Sequence, residues 1–157
     1  MHEHLLSDAR VLCRPPREPL PEDPRVTIGN LGFLRWNLLA LEGNLVLDDP
    51  GAAAAELAPA RALGQSCVVD LTTPGLGPRY AELPALARES GLHIAAGYGA
   101  YLARSHPRWL RDLDEAALTD LFHRALTDRV PGTGYRAALL GMIGTGAPVE
   151  PAERRVL

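Results

Sequence analysis

Only two cysteines occur among the 157 residues, Cys13 and Cys67. They are too few and too far apart for a disulfide framework or a zinc ribbon. Cys67 opens an apolar run and reads as a small buried hydrophobe. Long apolar stretches are lacking too. Runs such as Ala137 to Ile143 fall well short of the roughly 20 residues that cross a bilayer. The N-terminus has no basic region followed by an apolar core, so a secretory leader is not expected and a cytoplasmic location is the default. Nor is there a basic stripe: 16 basic and 19 acidic residues are interspersed, apart from short pairs such as Arg154-Arg155. Binding to a phosphate backbone is therefore not expected, and neither nucleic acid nor membrane is a predicted partner. Gly75 and Gly77 stand in a glycine-rich turn, but Gly-Lys-Ser and Gly-x-Gly-x-x-Gly are missing, which speaks against a nucleotide site.

What is present is an ordinary globular composition, 46% hydrophobic and 22% charged, in a length that suits one domain over residues 1–157. Five prolines between Val11 and Pro24 (Pro15, Pro16, Pro19, Pro21 and Pro24) exclude a regular helix or a central strand there. Ala52 to Leu63 is rich in helix formers behind an Asp48-Asp49-Pro50 start signal, and Pro59 is expected to kink or end its last turn. Ser66 to Leu71 is a short β-branched run feeding the turn residues Thr72 to Gly77. Tyr80 to Ser90 follows as a helix closed by Gly91. The unit repeats: Leu92 to Gly97 reads as a buried strand, and Asp114 to Thr127 as a helix with Asp114 at its N-cap. Tyr135 to Ile143 is a third apolar run, and Pro151 with Glu153 marks a further helix start. Strands apolar on both faces, alternating with helices, predict a parallel α/β sheet.

Near the start, His2-Glu3-His4 places two imidazoles at i and i+2. In a strand these share a face and could hold one metal, with Glu3 turned away. Taken alone, the tripeptide reads first as a chance or surface string. Asp70 stands at a predicted strand end, where it either reacts or braces the Thr72-Thr73 loop. His93 reads as a core or helix-facing histidine and His123 as a surface residue. Tyr98, Tyr101, His106 and Trp109 either line a substrate pocket or pack on one another in the loop after the predicted Leu92 to Gly97 strand.

Five segments stand in order: His2-Glu3-His4-Leu5-Leu6; Asn44 to Pro50; Val68-Val69-Asp70-Leu71-Thr72-Thr73-Pro74-Gly75-Leu76-Gly77; Gly91 to Gly99; and Gly141-Met142-Ile143-Gly144-Thr145-Gly146. Together they resemble the phosphotriesterase-related family of the amidohydrolase superfamily, the third segment most specifically. The resemblance implies a (β/α) TIM-type barrel with its reactive residues at the C-terminal strand ends. It also implies a pair of metal ions, usually zinc, that activates a bridging water, and hydrolysis of phosphotriesters, lactones or related small-molecule esters. On this resemblance His2 and His4 are metal ligands.

The sequence also departs from the family pattern. An eight-stranded barrel takes about 250 residues, so roughly the first four β/α units are expected, with the first strand truncated just before His2. The metal-bridging carboxylate of the family, a carboxylated lysine or a glutamate, aligns with Met142, whose thioether is a poor zinc ligand. The expectation is an N-terminal half-barrel with an incomplete two-metal site and no activity by itself. The alternative is a non-catalytic interaction module that forms a homodimer or pairs with a separately encoded C-terminal half.

Overall fold

The computed structural model describes residues 2–157, and the side chain of His2 lies outside the described part. Four short strands form a parallel sheet: β1 (His2–Glu3), β4 (Cys67–Asp70), β5 (His93–Tyr98) and β6 (Leu139–Leu140), in the order β1-β4-β5-β6. The register pairs Glu3 with Asp70, Asp70 with Ala96, and Tyr98 with Leu140. All four C-terminal ends therefore open onto one rim. A second, antiparallel pair, β2 (Ser7–Asp8) with β3 (Val46–Leu47), closes the base of a long arm that carries the prolines and the short helix α1 (Leu31–Trp36).

The helices sit where local chemistry places them. Helix α2 (Pro50–Ala62) starts on Asp49, whose carboxylate accepts a hydrogen bond from the Ala52 amide at 3.0 Å, with Pro50 at the first position. Pro59 falls in the last turn of α2, as expected, and the helix runs three residues past it to Ala62. The carbonyl that Pro59 leaves without a partner belongs to Ala55, and both residues are exposed, so water can satisfy it. Helix α3 (Leu83–Ser90) ends on Gly91, left-handed at φ 69°, whose amide donates to the Ala87 carbonyl. After the short helix α4 (Arg108–Arg111), helix α5 (Glu115–Thr127) is capped by Asp114, which accepts from the Ala117 amide at 2.8 Å. Helix α6 (Pro151–Arg154) is a single turn.

The core lies between the sheet and its helices. It gathers Leu57 from α2, Leu83 and Leu86 from α3, Leu118 and Phe122 from α5, and Val68 and Ala96 from the strands. Two expectations fail at strand starts: Cys67 and His93, read as buried, are both exposed. They pair with each other across β4 and β5 on the sheet face opposite Val68, Ile94 and Ala96, the face that the helices do not cover. His123 is exposed on α5, as expected. Among the described residues no helix is long and apolar enough to cross a membrane.

Candidate active site at the C-terminal rim

The rim is assembled first by Asp70, only 1% exposed at the end of β4. One carboxylate oxygen accepts the Leu5 amide at 3.0 Å and the other the Thr72 amide at 2.8 Å. These bonds tie the segment after β1 to the loop after β4, so Asp70 is a brace with both oxygens engaged. Tyr80 supports the same loop from below: its hydroxyl lies 2.8 Å from the Thr72 carbonyl and 3.2 Å from that of Gly97. Burial is the main reason the Tyr80 hydroxyl is pushed above the ordinary tyrosine range, so it stays a donor.

His4 follows directly on β1, half-buried, and its Nδ1 shares a hydrogen bond with Thr72 Oγ1 at 3.1 Å. Such a contact fixes the orientation of an imidazole in the way outer-shell partners orient metal-ligating histidines. The strand ends at Glu3, so strict alternation no longer separates the neighbours. Glu3 and His4 both line a cavity of about 460 Å3 beside β1, rimmed by Asp48, Asp49 and Glu56 and floored by Leu57 and Val68. The expected position of the His2 imidazole falls outside the described residues.

Backbone approach shapes the other half of the rim. A Cβ on Gly75 (φ 97°) would meet the Ser105 carbonyl oxygen at 1.8 Å, so the loop after β4 touches the loop after β5 only because residue 75 is glycine. Glu153, 1% exposed, reaches from α6 to the same loop. Its carboxylate accepts the amides of Ala103 at 3.0 Å, Gly146 at 2.8 Å and Glu150 at 3.0 Å. Those three bonds, with the charge of nearby His106 added, hold its carboxyl below the ordinary glutamate range. Sequence reasoning read Glu153 only as a helix-start residue; its reach to Ala103 spans 50 positions and leaves no local signal.

The four loop residues expected near substrate divide into two groups. Tyr98 is 2% exposed, its ring 5.8 Å from Tyr80 and 6.2 Å from Phe122, and burial pushes its hydroxyl up to about 12. Tyr98 and Trp109 line a common cavity of about 280 Å3 walled by Pro74, Pro78, Pro107 and Pro131. Tyr101 and His106 do not border that cavity. They meet elsewhere, with His106 Nε2 2.9 Å from the Tyr101 carbonyl and the Tyr101 ring packed over Gly144.

The described side chains do not fit a two-metal centre. No three of their His, Cys, Asp and Glu residues stand close enough to hold an ion. Asp70 and Glu153 have every carboxylate oxygen on backbone amides. The chain contains no lysine, so no carboxylated lysine can bridge, and the position expected to carry the bridge is Met142.

Comparison with known proteins bears directly on this rim. Human N-acetyltaurine hydrolase is 31% identical over 160 residues, an alignment that takes in 99% of this chain and 46% of that protein. A resiniferatoxin-binding protein from Rhodobacter sphaeroides superposes with a TM-score of 0.90 at 32% identity, covering 99% of this chain and 44% of the other. A lactonase from Listeria monocytogenes shares the fold, with a TM-score of 0.72 at 17% identity over 99% of this chain and 45% of its own. The chain thus spans about half the length of the curated relatives it matches. A sequence profile of the Phosphotriesterase family matches residues 1–157 without a break, and the chain belongs to that family.

Proposed function

We infer that the protein takes part in the hydrolysis of a small ester or amide, with the reaction at the C-terminal rim of the parallel sheet and with His2 and His4 as its contribution to metal binding. The observation that carries this reading is the placement of His4 at that rim, held by Thr72, in a chain matched by the family over its whole length. Parallel strands in chain order with helices between them favour successive units of a (β/α) barrel, whose chemistry sits at this end of the strands. Zinc is the metal the family resemblance favours. Two imidazoles are fewer than the three or four protein ligands zinc normally draws, so the chain itself accounts for at most a single weakly held ion.

The substrate class is bracketed by the relatives. One is named for N-acetyltaurine, an amide, and a fold neighbour is a lactonase. The test is an assay of the zinc-supplemented protein on N-acetyltaurine, a γ-lactone and an aryl phosphotriester. Any turnover by this chain is expected to fall about a hundredfold in His4→Ala, and its zinc binding to be lost with it. Turnover or zinc binding unchanged in His4→Ala contradicts the reading.

A further inference from the structure

Six of the chain's arginines face a carboxylate: Arg10 with Asp8, Arg25 with Asp23, Arg79 with Glu82, Arg108 with Asp112, Arg124 with Asp120 and Arg129 with Asp128. The other ten show no such ion pair among the described residues, and of these Arg14 and Arg17 stand together. Both line one small cavity of about 140 Å3 on the arm between β2 and β3, together with Pro15, Trp36 and Asn37. Among the described residues neither guanidinium has a hydrogen-bond or ion-pair partner, and the Trp36 side chain beside them is 77% exposed.

The cavity is built rather than incidental. Asn37, buried at the end of α1, accepts the Arg17 amide on its Oδ1 at 2.9 Å and donates through Nδ2 to the Phe33 carbonyl at 3.1 Å. The Arg14 amide donates to the Leu39 carbonyl at 3.0 Å. The backbones of both arginines are thus pinned to the segment that carries Trp36. Glu18, the neighbouring acid, takes the second proton of Asn37 Nδ2 on its Oε1 at 2.6 Å and does not line the cavity.

We propose that Arg14, Arg17 and Trp36 form a binding site for a small organic anion, a phosphate, sulfonate or carboxylate group carried on a flat apolar body. Guanidinium groups recognise such oxygens with paired, charge-assisted hydrogen bonds. An exposed indole offers the apolar body a face to lie on. A volume of about 140 Å3 is below that of pockets that enclose a drug-sized ligand, so it admits one anionic head with the body lying over Trp36. None of its lining residues belongs to the rim machinery, so its failure leaves the hydrolase reading untouched.

The test uses Trp36 as its own reporter, in a Trp109→Phe background that leaves one tryptophan, with phenyl phosphate and inorganic phosphate as probes. Isothermal titration of the unaltered chain gives a second readout that needs no background variant. Saturable binding of phenyl phosphate is expected, tighter than that of inorganic phosphate and weakened at least about tenfold in Arg14→Ala/Arg17→Ala. Both arginines are exposed, so circular dichroism is expected to show an intact fold in that variant. A response reproduced by sodium chloride at equal ionic strength, or unchanged in the double variant, overturns the proposal. So does the absence of heat and of fluorescence change with either probe.

Discussion

The loop after β4 and the loop after β6 leave the same rim from strands on either side of β5, yet they are held differently. At β4 a four-residue strand hands over to Asp70, which joins two chain segments side by side through Leu5 and Thr72. At β6 the strand is two residues long, and the loop to α6 is held by Glu153, which gathers amides from residues 103, 146 and 150. In both places a buried carboxylate takes over where the strand ladder stops. Asp70 and Glu153, carboxylates in this rim that would catch the eye as reactive groups, are structural.

Asp70→Ala breaks the comparison hardest. It leaves two buried amides without acceptors, at about 1–3 kcal/mol each, so urea denaturation is expected to show a loss of about 2–6 kcal/mol. Asp70→Asn keeps one acceptor oxygen and is expected to lose less. A loss below about 1 kcal/mol in Asp70→Ala would mean that the Leu5 and Thr72 amides find water instead. Tyr80→Phe removes a single hydroxyl from the same loop and is expected to cost about 1 kcal/mol in the same assay.

Glu153→Ala is expected to act locally. Amide exchange followed by NMR should quicken at Ala103, Gly146 and Glu150 and stay unchanged at Leu5 and Thr72; quickening at all five would erase the distinction between the loops. The same amides supply the pH test. Because the bonded amides lower the Glu153 carboxyl, its contribution is complete above the unfolded glutamate value, about 4.3, and is lost only as pH falls through the lower folded value. Protection of Gly146 is therefore expected to outlast the ordinary glutamate range as pH is lowered, and to vanish within that range if the carboxyl is not held down.

Elements with local signatures were legible in the sequence. Asp49-Pro50, Asp114 and Gly91 mark helix ends by rules that act within a few residues, and the alternation of apolar runs with helices gave the parallel sheet. Burial was not legible at Cys67 and His93, because an apolar run does not say which of its faces the helices cover. Tyr98 is the last residue of β5, not part of the loop that carries Tyr101 and His106, and its ring packs in the core between Tyr80 and Phe122. The anion cavity was hidden for a related reason: the proline-rich segment reads as a featureless loop until Asn37 folds it against α1.

Zinc stoichiometry of the purified chain, measured by elemental analysis after dialysis against micromolar zinc, tests the account of the rim most directly. At most one zinc per chain is expected, and it should disappear when His2 and His4 are both changed to alanine. Two zinc ions per chain, or zinc retained without the two histidines, would contradict it.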